Sequence, residues 1–136
     1  MSQENVEIIR GMYAAWLAQD IRAVYETFDE DIELNPDPEA SWVGIGQTYR
    51  GLAGIKSYMA AVYDAFEDYR PEVEELMDLG DQVLTLAIEH GTGRGSGAEV
   101  DASRTAHVWT LRDGKAVQLD LYLERAAALK AVGLEE

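Results

Sequence analysis

The sequence predicts an α+β fold in which three helices precede an antiparallel sheet. Apolar residues recur at helical spacing through the first half of the chain, whereas after Asp68 they alternate with a period of two. Near the C-terminus, Asp113 and Gly114 separate two short apolar runs, a strong signal for a two-residue hairpin turn. Helices segregated from an antiparallel sheet define the α+β class. With 136 residues and no internal repeat or linker, residues 1–136 are predicted to form one domain.

The helices are predicted from their apolar faces and from the residues that begin and end them. The first helix carries apolar residues at helical spacing, namely Val6, Ile9, Met12, Tyr13, Trp16 and Leu17. Asp20 is expected to cap a second helix. A short strand containing Ile32 and Leu34 should end at Pro36 and Pro38. The third helix is predicted to carry Leu52, Ile55, Met59, Val62 and Phe66.

The sheet is predicted as a meander of four strands after this helix. The strands are predicted at 69–79, 82–90, 100–112 and 115–124. A turn at Gly80-Asp81 joins the first two strands, a Gly-rich connection at 92–98 joins the second and third, and the last two form a hairpin. The acidic run that opens the meander indicates a solvated edge strand. A short Ala-rich helix at 125–132, ended by Gly133, closes the domain.

Composition narrows the classes of partner. The chain has 26 acidic and 11 basic residues and a formal charge of −15, so nucleic acid and anionic membrane surfaces are poor partners. It has no cysteine, which excludes disulfides, thiolate metal sites and cysteine nucleophiles. We see no secretory signal and no membrane-length apolar run, so we expect a cytoplasmic protein. His90, His107 and Glu89 lack metal-ligand spacing on one element, so we predict no metal and no organic cofactor.

The register of the last hairpin decides which side chains meet. If Asp113 and Gly114 alone form the loop, Arg112 faces Lys115 and His107 lies opposite Asp120. The same register places Trp109 opposite Gln118 and Thr105 opposite Tyr122, so one face mixes aromatic and titratable groups. A bulge beside the turn would shift the pairing by one residue and move Asp120 away from His107.

An imidazole beside a carboxylate can transfer a proton near neutral pH. We therefore predict a catalytic group in which Asp120 acts as the base and His107 as the partner acid or orienting group. Tyr122 would donate a hydrogen bond to a developing oxyanion. The alternative is that His107 and Asp120 form an ordinary cross-strand pair on the surface.

Aromatic residues outside the hairpin are candidates for the lining of an apolar pocket. With Trp109 from the hairpin, the predicted ligand-binding residues are Tyr13, Trp16, Trp42, Tyr49 and Tyr58. Trp42 and Tyr49 lie in a loop before the third helix, where helices and sheet should meet. The alternative for Trp16 and Tyr58 is a purely structural role in the core.

The whole chain resembles the SnoaL-like branch of the ketosteroid isomerase and nuclear transport factor 2 superfamily. Three stretches carry the resemblance: VEIIRGMYAAWLAQDIRAVYETFDEDIEL, YRGLAGIKSYM and HVWTLRDGKAVQLDLYLERAAALKAVGL. It implies a cone-shaped, curved antiparallel sheet that wraps the three N-terminal helices around a central apolar pocket. It also implies a homodimer formed through the outer surface of the sheet.

The resemblance also implies which activities suit the residues. The isomerases' base falls at Asn35 and their oxyanion tyrosine near Met12, while the epoxide hydrolases' arginine is missing from the middle strand. The polyketide cyclases fit best, because their last-strand aspartate corresponds to Asp120. The resemblance thus implies a cofactor-independent enzyme of isomerase or cyclase type acting on an apolar carbonyl compound. A non-catalytic ligand-binding or dimerisation module, or an adaptor using the outer sheet surface, stays open.

Overall fold

The computed structural model of the chain describes residues 2–37, 47–94 and 103–134. Four helices and six strands lie in these ranges, in the order α1 (Ser2–Leu17), α2 (Ile21–Glu26), β1 (Phe28–Asn35), β2 (Tyr49–Arg50), α3 (Gly51–Ala65), β3 (Phe66–Asp78), β4 (Gln82–Gly93), β5 (Ser103–Arg112), β6 (Lys115–Tyr122) and α4 (Arg125–Ala131). This succession of three helices and a final meander agrees with the sequence-based prediction.

The six strands form one curved, open sheet in the order β2-β1-β6-β5-β4-β3. The strands from β3 to β6 pair antiparallel as a meander, and β1 pairs antiparallel with β2. β1 joins the meander by pairing parallel with β6, a contact that the predicted all-antiparallel sheet lacked. The α+β class with a curved sheet is confirmed.

The two faces of the sheet carry different layers. Helices α1, α2 and α3 pack on the inner face, where the main core includes the fully buried Ile9, Ile32 and Trp109. On the outer face a smaller cluster forms around Leu84 and Val108, against which α4 packs through Ala128. The inner layer is therefore the place where a cavity can form between helices and sheet.

The predicted cap of the second helix is confirmed. The Asp20 side chain accepts a hydrogen bond of 3.2 Å from the backbone N–H of Ala23, one of the donors that a helix start leaves unpaired. We expect Asp20→Ala to lower the free energy of unfolding by about 1 kcal/mol. Urea denaturation would measure the loss, with Asp20→Asn as a control that keeps an acceptor. Equal losses in the two variants would show that the cap contributes nothing.

The edge strand β3 begins earlier than predicted. Phe66, assigned from sequence to the third helix, has extended backbone angles (φ −133°, ψ 142°) and opens β3. Strand β3 lies at the edge of the sheet and contains Pro71, which edge strands tolerate. Its exposed acidic side chains protect that edge from pairing with another chain, as the sequence indicated.

The hairpin register is where the sequence-based prediction was wrong. Asp113 (φ 52°) and Gly114 (φ 78°) do form a two-residue turn, and Arg112 faces Lys115. The register then shifts between Thr110 and Leu111, so that His107 lies opposite Leu121.

The extra residue in β6 turns every later side chain to the other face of the sheet. Leu119 and Leu121 face the inner layer, and Asp120 lies opposite Val108 on the outer face. Burial of a leucine side chain contributes about 1.5–3 kcal/mol, whereas burial of an unpaired carboxylate is unfavourable, so this register is the stable one.

In the described part of the chain, the longest helices are too short or too polar to cross a lipid bilayer.

Candidate functional site

A cavity of about 220 Å³ lies between the helices and the inner face of the sheet. Its wall is mostly apolar. The aromatic residues that line it are Trp16, Tyr25, Phe28, Tyr58, Tyr63, Phe66, Tyr69, Trp109 and Tyr122. Aliphatic side chains from α2, α3, β1 and β6 complete the apolar surface. The polar lining residues of the described chain, apart from the tyrosines, are Asp37, Glu89, Thr105 and His107.

Strand alternation brings these polar residues together. Thr105, His107 and Trp109 occupy alternate positions of β5 and therefore point to the same face. On the neighbouring strand β4, Ala87 is paired with Thr105 and Glu89 with Ser103, so Glu89 shares this face. The long side chain of Glu89 reaches along the sheet to Thr105 and His107.

Glu89 accepts hydrogen bonds from three side chains. Its Oε1 atom lies 2.9 Å from His107 Nε2 and 3.3 Å from Thr105 Oγ1, and its Oε2 atom accepts from the Tyr69 hydroxyl at 2.7 Å. A carboxylate offers about four acceptor positions, so within the described residues one position remains open on Oε2. Glu89 is 9% exposed and His107 6%, so the pair is almost fully removed from bulk solvent.

The tautomer of His107 follows from its partners. The indole N–H of Trp109 can only donate, and it donates to the Tyr13 hydroxyl oxygen at 2.9 Å. The Tyr13 hydroxyl therefore has its own hydrogen available for His107 Nδ1, 2.7 Å away. In this arrangement Nδ1 accepts from Tyr13, and Nε2 donates to Glu89.

Electrostatics keep Glu89 ionised. Burial by itself would raise the pKa of Glu89. The hydrogen bond and the electrostatic attraction from His107, followed by the hydrogen bonds from Tyr69 and Thr105, outweigh burial and lower the pKa below its usual value. The pKa values of two neighbouring tyrosine side chains shift upward instead. Burial and the negative charge of Glu89 raise the pKa of Tyr58 and of Tyr69, so both keep their protons. The site thus combines an ionised carboxylate with neutral hydroxyl donors.

The structure does not bring the predicted catalytic residues together. His107 lines the cavity, but Asp120 lies on the outer face, where its Oδ1 atom accepts from Asn35 Nδ2 at 2.8 Å. Gln118 also donates to Asp120, at 2.9 Å. The partner of His107 is instead Glu89, because the bulge in β6 reverses the face of Asp120. Tyr122 does line the cavity.

The structure places the aromatic residues predicted to bind a ligand in different surroundings. Trp16, Tyr58 and Trp109 line the cavity. Tyr13 is buried beneath it and contacts it through His107, while Tyr49 packs in the core against the ring of Tyr58 at 5.5 Å between centroids. Neither Tyr13 nor Tyr49 is a lining residue. Trp42 lies outside the described residues.

Sequence reasoning missed Glu89 and Tyr69. One signal was available for Glu89: Thr85, Ala87 and Glu89 alternate on one face of an otherwise apolar strand. A carboxylate at an inward position of such a strand requires partners. No comparable signal marked Tyr69, which lies in the acidic edge strand.

The sequence profile of a family described as the SnoaL-like domain matches residues 9–119. The chain belongs to this family. Among curated proteins, none matches the sequence.

Solved structures extend the SnoaL-like assignment to the fold. An NTF2-like protein of unknown function from Burkholderia pseudomallei K96243 has a TM-score of 0.80 and 20% identity, covering 95% of this chain and 97% of that one. TerC, co-crystallised with polyporic acid, has a TM-score of 0.79 and 26% identity over 96% and 98% of the two chains. A protein with a ketosteroid isomerase-like fold from Catenulispora acidiphila DSM 44928, in complex with trimethylamine, has a TM-score of 0.72 and 22% identity over 94% and 93%. The SnoaL-like chain therefore shares an NTF2-like fold.

Proposed function

We propose that this SnoaL-like protein binds an apolar carbonyl compound in the cavity and catalyses proton transfer from one of its carbon atoms, as an isomerase or cyclase does. The observation that carries the proposal is the buried Glu89 carboxylate, hydrogen-bonded to His107 at the wall of an otherwise apolar cavity. Perturbed titratable groups in a cleft are typical of functional sites.

Glu89 is the base in this proposal. Its carboxylate takes a proton from the carbon next to the carbonyl group, the C–H bond breaks, and the electron pair moves to the carbonyl oxygen as an enolate. The open acceptor position on Oε2 is where the proton would arrive. His107, Thr105 and Tyr69 hold the carboxylate in place, which reduces the reorganisation needed during transfer.

A hydroxyl donor is needed for the enolate oxygen, and Tyr58 is the best-placed candidate. It lines the cavity close enough to Glu89 for the carboxylate charge to raise its pKa, so its phenol keeps its proton. Tyr122, the donor expected from the sequence, also lines the cavity, but its pKa is raised by burial and by the charges of Asp120 and Asp37, not by Glu89. We therefore assign the oxyanion contact to Tyr58.

Two solved structures support a small organic ligand for this fold. The TerC structure contains polyporic acid, and a provisionally assigned polyketide cyclase from Sinorhizobium meliloti has a TM-score of 0.65 and 24% identity over 89% and 98% of the two chains.

The test is exchange of the α-protons of 2-tetralone, an apolar ketone, for deuterium in D₂O, followed by NMR. We expect the wild-type protein to accelerate exchange above the buffer rate. Tyr58→Phe should lower the rate by about 100-fold, because one oxyanion donor is lost. Tyr49→Phe is the matched control, since Tyr49 packs against the ring of Tyr58 but does not line the cavity. Loss of the same size in both variants would contradict the role of Tyr58.

A non-catalytic binding module is the second candidate. Both ring nitrogens of His107 and three acceptor positions of Glu89 are already engaged within the protein, as a purely structural network would have them. Saturable binding of 2-tetralone without any accelerated exchange would favour this candidate. The expected homodimer and cytoplasmic location stay predictions.

A further inference from the structure

In the described part of the chain, the permanently charged side chains that line the cavity are acidic. Glu89 and Asp37 contribute carboxyl groups, whereas the lining residues of the described chain include no lysine or arginine. The remaining residues, 1, 38–46, 95–102 and 135–136, contain no lysine, arginine or histidine in their sequence. No basic side chain of this chain other than His107 is therefore available to neutralise a ligand's negative charge in the cavity.

One imidazole faces the two carboxyl groups of the lining, since His107 contacts Glu89 with 2.9 Å between Nε2 and Oε1. A single imidazole can balance the charge of one carboxylate at most. The lining therefore keeps negative charge inside a mostly apolar cavity, where electrostatic interactions are strong.

An aromatic wall adjoins this carboxylate. Tyr69 donates to Glu89, and its ring lies 6.3 Å from Trp16 and 6.2 Å from Tyr63 between centroids. The faces of Trp and Tyr rings attract cations, by about 0.5 kcal/mol at exposed sites and about 2 kcal/mol when the cation is desolvated. Aromatic faces beside a carboxylate are the surroundings in which proteins hold ammonium groups.

We propose that the ligand carries a positive charge, an alkylammonium group on an apolar body, held between Glu89 and this aromatic wall. The inference rests on the proposed function and specifies its substrate class: an apolar carbonyl compound that bears a protonated or quaternary amine. The two roles of Glu89 are compatible, because an ammonium group near the reacting carbon makes its C–H bond more acidic and stabilises the enolate that forms.

The experiment is calorimetric titration with three compounds of the same shape and different charge. Choline is the cation, 3,3-dimethyl-1-butanol its neutral isostere, and 3,3-dimethylbutanoate the anion. At physiological ionic strength, where surface charges are screened, we expect choline to bind about tenfold more tightly than the neutral isostere, and the anion not to bind. Glu89→Gln should abolish the difference between choline and the neutral compound. Glu75→Gln, which removes an exposed charge from β3, should preserve it.

Three outcomes overturn the inference in different ways. If the neutral alcohol or the anion binds in the cavity at least as tightly as choline, the preference for positive charge is wrong, while the proposed function survives. If none of the three compounds binds and 2-tetralone is not bound either, both proposals fail. If Glu89→Gln still prefers choline, the preference comes from the overall negative charge of the protein and not from Glu89. That result would also overturn the inference.

Discussion

Replacing Glu89 by glutamine is expected to lower the rate of α-proton exchange on 2-tetralone by at least about 100-fold. Glutamine has nearly the same shape as glutamate, and its amide oxygen can still accept a hydrogen bond from His107 or Tyr69. It cannot take a proton from carbon near neutral pH. The loss should therefore appear in the rate of the chemical step, while saturation of the cavity by the ketone is largely retained.

Two controls separate this loss from damage to the fold. Glu75→Gln makes the same chemical change at an exposed position of β3 and should leave the exchange rate unchanged. Circular dichroism and thermal unfolding of Glu89→Gln should show a folded protein. An exchange rate in Glu89→Gln within about threefold of wild type would rule out Glu89 as the base.

Replacing His107 by phenylalanine is expected to destabilise the protein by about 3 kcal/mol at neutral pH. The change keeps an aromatic ring on the inner face of β5 but removes a hydrogen-bond donor from a buried carboxylate. Tyr13 also loses its hydrogen-bond partner, His107 Nδ1. Urea denaturation at fixed pH would measure the difference.

The pH dependence of this loss has a definite sign. In the wild type the pKa of Glu89 is lowered, so its stabilising contribution is present above the unfolded-state pKa and is lost as pH falls through the lower folded value. Without His107, burial dominates and raises the pKa of Glu89, so protonation favours the folded variant as the pH falls. The stability gap between the two proteins should therefore narrow on acidification.

A double variant provides the control for this pH effect. In a Glu89→Gln background the carboxylate is absent, so the effect of His107→Phe should lose the part of its pH dependence that comes from Glu89. If the stability gap stays constant between about pH 4 and 8 with Glu89 present, the two side chains are not electrostatically coupled.

Much of the fold could be predicted from local signals. Asp20 caps α2 as expected, Asp113 and Gly114 form the turn, and Gly133 follows α4 with φ at 81°. These features depend on residues next to each other in the chain, so composition and spacing reveal them. The candidate site was predicted less well, because Glu89, His107 and Tyr13 lie on three different elements whose contacts depend on strand pairing and helix packing.

The sequence by itself determined the class of the fold and the position of the last hairpin turn. Only the tertiary structure decided the partner of His107. A single extra residue in β6 exchanges the faces of Asp120 and Leu121, and the choice between them depends on what the opposite layer can bury. Helices α1 to α3 offer an apolar layer, so the leucine side chains turn inward and Asp120 turns outward, leaving Glu89 as the carboxylate beside the imidazole.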